Sequence, residues 1–202
     1  MQFSGVLDHL IHELTRLPGI GAKTAERLAF HLLKAPKAEA LALAEAIRRL
    51  KEELRQCQRC HNIADGEFCE ICKDPARDHS IVCVVEHPKD VQVIEASGAF
   101  QGLYHVLGGS FSPLEDRGSD SMTIAHLVER IEVEGIQELI LATNPDFEGD
   151  GTALLVSRAV ENTSVRISRL ARGVPTGGQL EYMNRSIISD ALSGRQTYRR
   201  DD

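Results

Sequence analysis

The chain has 202 residues, of which 42% are hydrophobic and 26% are charged, values typical of a soluble globular protein with one large or two small domains. Residues 1–10 lack the features of a secretory signal, and no apolar stretch is long enough for a membrane span. These features argue against a secreted or membrane protein, so we expect a cytoplasmic protein with reduced thiols.

The net charge of −7 is distributed unevenly along the chain. Residues 1–79 carry 12 basic and 12 acidic side chains, residues 80–163 carry 4 and 14, and residues 164–202 carry 7 and 4. If the chain binds a nucleic acid, the first part should do so, and the acidic block should contact a metal ion or a basic partner.

Three helices are predicted before residue 56. Apolar residues recur at helical spacing over residues 3–14, 22–33 and 37–55, and a Leu-Pro-Gly-Ile-Gly turn at residues 17–21 separates the first two. The apolar stripe of the first helix is expected to face a core or an oligomer interface, and Leu28, Ala29 and Leu32 of the second helix are expected to point inward. Helix, P-G-I-G turn and helix together have the form of a helix-hairpin-helix.

Four residues of this hairpin are candidates for phosphate binding. Gly19 and Gly21 allow backbone N–H groups at the start of the second helix to approach a phosphate closely. Lys23 and Arg27 are four residues apart on one helical face and add charge. We expect sequence-independent, salt-sensitive binding to DNA or RNA, whereas the alternative is a hairpin that serves only packing or dimerisation.

Two C-x-x-C pairs with eight residues between them follow: Cys57, Cys60, Cys69 and Cys72. This spacing can bring four thiolates to the corners of one tetrahedron, which Zn²⁺ prefers. Two disulfide bonds or four idle thiols are the alternatives, but no other feature indicates an oxidising compartment. His61 could compete as a ligand, although four cysteines already complete the shell. A complete shell predicts a structural and non-catalytic zinc ion.

Strand and helix patterns alternate after residue 80, which predicts a doubly wound, mostly parallel α/β sheet. The predicted strands are 81–85, 103–107, 139–142 and 165–170, and the predicted helices are 88–97, 123–133 and one that begins near residue 152. Glu86 follows the first strand, and Asp146 and Glu148 follow the third. Carboxylates at such strand ends could hold a hydrated Mg²⁺ ion, although exposed loops are often acidic without one.

Several of these residues resemble the motifs of known families. Glu86 after one strand and Asn144-x-Asp146-x-Glu148 after another resemble a Toprim domain, which topoisomerases, primases and some nucleases share. The order of hairpin, four-cysteine knuckle, Toprim-like segment and the motif GVPTGGQLEY at residues 173–182 resembles the RecR family of bacterial recombination mediators. The resemblance covers essentially the whole chain.

The resemblance implies an α+β protein with four parts. These are a helix-hairpin-helix arm (1–55), a C4 zinc finger (56–79), an α/β Toprim domain with a mostly parallel sheet (80–172) and a C-terminal helical oligomerisation segment (173–202). It also implies one structural zinc ion per chain. The implied homo-oligomer is a dimer or a ring-like tetramer that can encircle DNA.

The function implied by the resemblance is that of a non-enzymatic, DNA-binding mediator of DNA repair in the bacterial cytoplasm, at the nucleoid. Such a mediator helps RecA to assemble on gapped or single-stranded DNA coated by single-strand binding protein, together with RecO and in some settings RecF. Lys23 and Arg27 match positions implicated in DNA binding, and Glu86, Asp146 and Glu148 lie where RecO would bind.

Some positions depart from these family patterns. Catalytic Toprim domains have Asp-x-Asp where this chain has Asn144 and Asp146, so one anionic ligand for Mg²⁺ is lost and catalysis is not expected. His87 stands where the RecR family commonly has a second Glu, and the loop of residues 115–120 contains less Gly and Pro than usual.

Two other functions remain compatible with the sequence. One is a Mg²⁺-dependent nuclease or topoisomerase-like enzyme that uses Glu86 and Asp146, although Tyr104, Tyr182 and Tyr198 lie in other segments and give no obvious Tyr nucleophile. The other is an RNA-processing Toprim protein, which would prefer RNA to DNA.

Overall fold

The structure of the protein, a computed structural model, describes residues 4–112 and 122–197. The expectations for Phe3, for the loop of residues 115–120 and for Tyr198 therefore lie outside the described residues. The chain divides into two compact units, Met1–Leu54 and Arg55–Asp202. None of the described helices combines the length and the apolar composition of a transmembrane segment.

The first unit contains the three predicted helices, α1 (Gly5–Thr15), α2 (Ala22–Lys34) and α3 (Lys37–Glu53). The Ser4 hydroxyl caps α1 by accepting a hydrogen bond from the Leu7 N–H (3.4 Å). Gly19 has a φ of 80°, a conformation that costs other residues free energy, and so forms the turn between α1 and α2.

The apolar stripes of this unit form little core. Ala25 and Ala29 of α2 are the buried residues of its described helices. The apolar stripe of α3 is largely exposed, since Leu41, Ile47 and Leu50 are each more than half exposed. Apolar residues of all three helices instead line an open groove of about 400 Å³. The helical pattern predicted the helices correctly but could not show how far their apolar stripes are exposed.

The second unit begins with a small zinc-finger-like knuckle. The strands β1 (Arg55–Gln56) and β2 (Ile63–Ala64) pair antiparallel, and one helical turn, α4 (Glu70–Lys73), follows. The four cysteines are buried between these elements together with Ala64.

A four-stranded parallel sheet forms the centre of the second unit, in the order β4-β3-β5-β6. Its strands are β3 (Asp78–Val85), β4 (Gly102–Val106), β5 (Glu138–Leu141) and β6 (Arg166–Arg169), and its helices are α5 (Pro88–Ser97), α6 (Ile124–Glu134), α7 (Phe147–Ala159) and α8 (Arg185–Ser193). The order reverses between β3 and β5, and ligands of open α/β sheets usually bind at such a reversal.

Helices cover both faces of this sheet, which confirms the predicted doubly wound architecture. Val82 and Val84 of β3 pack on one face in a core that includes residues of α6 and α7. Cys83 and Val85 point to the opposite face and pack with Val91 of α5. The alternation along β3 follows from the two-residue period of a strand.

Helix α7 begins five residues earlier than the sequence pattern indicated. Gly149 and Gly151 lower the helix propensity of this stretch, so residue 152 was the expected start. The Asp146 carboxylate nevertheless caps the helix by accepting a hydrogen bond from the Gly149 N–H (2.8 Å). Gly149 is required here because a Cβ atom at this position would collide with the backbone oxygen of Asn144.

A partly buried ion-pair network joins the knuckle to the sheet. Arg59, which lies between the first two cysteines, donates through Nε and Nη2 to both carboxylate oxygens of Glu134 on α6 (2.9 and 3.0 Å). Arg130 also donates to Glu134 (3.0 Å) and to the backbone oxygen of Tyr104 in β4 (2.6 Å). The Val106 N–H of the same strand donates to the Cys60 carbonyl (2.8 Å). The knuckle is therefore attached to β4 and α6.

Asp150 links α7 to the end of β6 and to the residues that follow this strand. Arg169 and Arg172 both form ion pairs with the Asp150 carboxylate. Their hydrogen bonds, that of Arg172 first, lower the pKa of Asp150. Residues of the C-terminal segment (173–202), including Ile187 and Asp190 of α8, line a cavity of about 450 Å³ together with Arg169 and Arg172.

Candidate functional site

The four cysteines of the knuckle form a compact buried cluster. Their sulfur atoms all lie within 4.8 Å of one another, and the sulfurs of Cys60 and Cys69 are 3.5 Å apart. Four Zn–S bonds of about 2.3 Å in a tetrahedron place sulfurs about 3.8 Å apart, so the cluster has the dimensions of a four-cysteine zinc site. Within the described residues, no other set of three or more His, Cys, Asp or Glu side chains brings its ligand atoms together in this way.

Local backbone hydrogen bonds shape both cysteine hooks. The His61 N–H donates to the Cys57 carbonyl (2.9 Å), and the Lys73 N–H donates to the Cys69 carbonyl (3.1 Å), so each pair of sulfurs lies on a tight turn. Hydrogen bonding with Cys60 lowers the pKa of the Cys69 thiol to about 2, whereas hydrogen bonding with Cys69 raises the pKa of the Cys60 thiol. Cys60 and Cys69 share hydrogen bonds at a sulfur–sulfur distance of 3.5 Å, so one thiol gives up its proton more readily than the other. A cation can replace the protons between such closely spaced sulfurs, because metal ligands must be deprotonated.

His61 does not take part in the cluster. Its φ of 60° lies in the left-handed region, and its Nε2 is hydrogen-bonded to Nδ1 of His126 on α6 (2.7 Å). The structure thus directs this ring towards the sheet, in agreement with the expectation that the four cysteines complete the shell.

The start of α2 carries the residues that the sequence indicated for phosphate contact. Gly21 is the N-cap residue, with an extended backbone, and no side chain of the described residues caps this end of the helix. The first N–H groups of the helix therefore remain available to an anion. Lys23 and Arg27 are exposed, and neither forms an ion pair in the part of the chain that the structure describes.

The basic end of α3 differs from that surface. Arg48 forms ion pairs with Glu45 and Glu52, and Arg49 forms one with Glu53. These acids on the same helix neutralise the two cations, so this end of α3 is a less suitable phosphate surface than the start of α2.

At the reversal between β3 and β5, Glu86 lies beside Asn144. Glu86 is 2% exposed, and its Oε1 accepts a hydrogen bond from the Asn144 N–H (3.1 Å) while its Oε2 accepts one from Asn144 Nδ2. Burial raises the pKa of the Glu86 carboxyl, and the nearby charges of Asp146 and Asp90 raise it further. His87, the residue after Glu86, is the N-cap of α5, and its N–H donates to Asp90 (2.8 Å).

The other two acids accept hydrogen bonds from different donors. Asp146 caps α7 through Gly149. Glu148 accepts hydrogen bonds from the hydroxyl groups of Ser110 (3.1 Å) and Ser112 (2.9 Å), which follow β4. The sequence interpretation missed both serines, although their position after a parallel strand places them at the same edge of the sheet.

These contacts do not fit a magnesium site. Mg²⁺ requires oxygen ligands in near-octahedral geometry, usually including one or two carboxylates that face the ion. Here the ligand atoms of Glu86, Asp146 and Glu148 do not converge, and each carboxylate already accepts hydrogen bonds from the chain. The cysteine cluster, in contrast, fits zinc.

Three family models match consecutive parts of the chain. The helix-hairpin-helix model of RecR matches residues 7–51, the four-cysteine zinc finger model of RecR matches residues 54–74, and the Toprim domain model matches residues 80–171. The zinc-finger match and the geometry of the four sulfurs support the same conclusion. The knuckle is a structural zinc site formed by Cys57, Cys60, Cys69 and Cys72.

Curated relatives cover nearly the whole chain. The protein named "Recombination protein RecR" of Rhodopirellula baltica is 51% identical over 193 residues, which are 96% of this chain and 97% of the relative. Its namesake in Rubrobacter xylanophilus is 50% identical over 94% of this chain and 96% of its own length, and that of Cutibacterium acnes is 48% identical over 96% of both. With identity at this level over almost its full length, the chain belongs to the RecR family of recombination proteins.

Proposed function

We propose that the protein is a non-enzymatic, DNA-binding mediator of recombinational repair in the bacterial cytoplasm. In this proposal it acts with RecO, and in some settings RecF, to help RecA assemble on gapped or single-stranded DNA coated by single-strand binding protein. Membership of the RecR family supports the role in repair. The observation that carries the DNA-binding part is the pair of exposed cations, Lys23 and Arg27, beside the uncapped start of α2.

The arm is suited to backbone contact and not to reading bases. A phosphate could approach the first N–H groups of α2 because a Cβ atom at Gly19 or Gly21 would meet nothing within 4 Å. The partial positive charge of the helix start and the charges of Lys23 and Arg27 all attract an anion. Since such contacts carry no base information, binding should be sequence-independent and should weaken as salt concentration increases.

Replacing Lys23 and Arg27 with Ala together is expected to weaken DNA binding by about tenfold or more and to flatten its salt dependence. Two phosphate contacts account for a change of about 1.4 to 1.8 in the slope of log K against log salt concentration. Fluorescence anisotropy with a labelled oligonucleotide at several salt concentrations measures both quantities. Comparing the affinities for RNA and DNA of the same sequence tests the RNA-processing alternative, which predicts tighter binding of RNA.

A matched control is the double variant Arg48→Ala/Arg49→Ala, which removes the same amount of charge from the same unit. Glutamates of α3 already neutralise these two cations, so the affinity and the salt slope should stay close to those of the unchanged protein. Equal losses of DNA affinity in the two double variants would contradict the assignment of DNA binding to the start of α2.

A second experiment tests the enzyme alternative. When the protein is incubated with labelled DNA and Mg²⁺, the DNA should stay intact. Cleavage that the substitution Asp146→Ala abolishes would favour the enzyme alternative.

We further propose that the protein works as a homo-oligomer, a dimer or a tetrameric ring, with the arm (1–55) and the C-terminal segment (173–202) in its contacts. The apolar groove of the first unit supports this oligomer, because Val6 is 84% exposed and Leu33 is 66% exposed there.

RecO is proposed to bind the acidic Toprim domain (80–172), which follows the zinc finger (56–79) in the chain. Sedimentation equilibrium measures the mass of the protein in solution, with and without RecO, and so tests both proposals. A monomeric mass would contradict the homo-oligomer, and a mass that does not change when RecO is added would contradict RecO binding.

A further inference from the structure

The contact between Glu86 and Asn144 has a specific chemical consequence for the acidic cluster. The two residues are 58 positions apart, but they follow β3 and β5, which are neighbours in the sheet. One residue supplies both donors, since the backbone N–H of Asn144 bonds one carboxylate oxygen and its side-chain amide bonds the other. This buried carboxylate is thus satisfied by a neutral group of nearly the shape of an aspartate.

An aspartate at position 144 would behave in the opposite way. An ionised carboxylate has acceptors and no donor, so an oxygen would replace the amide nitrogen that now faces Glu86. Two carboxylates at hydrogen-bonding distance cannot both stay ionised unless a cation lies between them, and otherwise one takes up a proton. The Asp-x-Asp arrangement of catalytic Toprim domains would therefore make this position dependent on a cation.

The rest of the cluster is likewise held by the chain. Asp146 accepts a hydrogen bond from the Gly149 N–H at the start of α7. Both carboxylate oxygens of Glu148 accept hydroxyl hydrogen bonds, one from Ser110 and one from Ser112. Hydrogen bonds from Ser110 and Ser112 therefore help to position the loop after β4 against the start of α7.

We infer that Asn144 closes this acidic cluster to divalent cations, because its amide donor occupies the place beside Glu86 where a cation would balance two carboxylates. Asn144 is thus a positioning residue that keeps the strand ends of β3 and β5 together without metal. The inference does not depend on whether the arm binds DNA.

The substitution Asn144→Asp tests this inference in the zinc-loaded, full-length protein. In magnesium-free buffer the variant should unfold at a temperature lower by about 5 °C or more, because two carboxylates then face each other. Millimolar MgCl₂ should reverse most of that shift in the variant and leave the unchanged protein unaffected. Mn²⁺ binding, followed by the loss of the free-ion signal in electron paramagnetic resonance, should appear in the variant and be absent from the unchanged protein.

Two further variants separate the loss of a donor from the gain of a charge. Asn144→Ala removes the amide without adding a carboxylate, so its destabilisation should not respond to Mg²⁺. Adding Glu86→Gln to Asn144→Asp restores an amide beside a carboxylate, so it should recover stability in magnesium-free buffer. Thiolates bind these hard cations poorly, so constant zinc content during the titrations shows that the cysteine cluster does not contribute.

Three outcomes would overturn the inference. The first is stoichiometric Mn²⁺ binding by the unchanged protein, a measurement that does not require the Asn144→Asp variant to fold. The second is an Asn144→Asp variant whose unfolding temperature does not change when Mg²⁺ is added. The third is rescue of Asn144→Ala by Mg²⁺, because a variant that adds no charge should gain no cation site.

Discussion

Cys69→Ser is expected to abolish stoichiometric zinc binding and to unfold the knuckle. Serine does not ionise at neutral pH, so the metal loses one of its four thiolate ligands. Binding of structural zinc contributes on the order of 10–16 kcal/mol of apparent free energy to the folding of zinc-finger peptides. The knuckle has two two-residue strands and one helical turn around its cysteines, so few other contacts can replace the metal.

The effect should extend beyond the knuckle, because Arg59 contacts α6 and Cys60 contacts β4 directly. Zinc content measured by atomic emission should fall from one per chain to nearly none, and the thermal transition of residues 55–202 should move to a lower temperature. Cys57→Ser should give the same result, because its thiol belongs to the same closed shell.

The fifth cysteine offers a matched control. Cys83 lies in β3, and its burial raises the pKa of its thiol to about 12, so it remains an inert core residue. Cys83→Ala should therefore keep one zinc per chain and lose only packing energy. If Cys69→Ser kept both its zinc and its thermal stability, the structural role of the metal would be refuted.

Glu134→Ala is expected to destabilise the second unit by about 3–5 kcal/mol, the cost of leaving buried charges without their partner. Two guanidinium groups depend on this one carboxylate, and the side chain of Arg130 is only 2% exposed. Urea unfolding of the zinc-loaded protein, followed by circular dichroism, measures the loss of free energy. The slope of the free energy against urea concentration should not change, because the folded surface remains the same.

The lowered pKa of Glu134 leads to a prediction of how the stability depends on pH. Burial alone would raise the pKa of Glu134, but the hydrogen bonds and charges of Arg59 and Arg130 outweigh it, so the pKa is lowered. A carboxyl group whose folded pKa lies below its unfolded value stabilises the protein above the unfolded pKa. That stabilisation is lost as the pH falls through the folded pKa, so the Glu134→Ala variant should show a weaker loss of stability in acid.

Glu45→Ala is the appropriate control for the network. Glu45 pairs with Arg48 on the exposed surface of α3, where solvent screens the interaction, so its removal should change the stability little. A cost below about 1 kcal/mol for Glu134→Ala would mean that the network contributes no more than a surface ion pair.

Much of this architecture could be predicted from local sequence features. The zinc site follows from the spacing of four cysteines, since the two hooks form through hydrogen bonds between residues four apart. The parallel sheet follows from short apolar runs separated by helical patterns. Strand β3 begins at Asp78, three residues before the predicted start at Ile81. The polar residues 78–80 gave no apolar signal, but Asp78 pairs with Gly102 of β4 ahead of an irregularity in the register.

Features that depend on distant residues could not be predicted in the same way. The sequence indicated that Glu86 and Asn144 lie at strand ends, but it could not show that the Asn144 amide donates a hydrogen bond to the Glu86 carboxylate. Arg59 and Glu134 are 75 residues apart and belong to no motif, so only the folded structure pairs them. The exposure of Ile47 depends on tertiary packing, which a periodic pattern does not encode.

The attachment of the knuckle to β4 has a further consequence for how the sheet meets other molecules. β4 is an outermost strand, and unpaired backbone groups on such a strand can template the addition of a foreign strand, which leads to aggregation. Two of its outward-facing groups are already occupied, because the Val106 N–H bonds to Cys60 and the Tyr104 carbonyl to Arg130. The zinc knuckle therefore helps to cover this strand edge, and loss of the metal is expected to release the Val106 N–H while Arg130 keeps the Tyr104 carbonyl occupied.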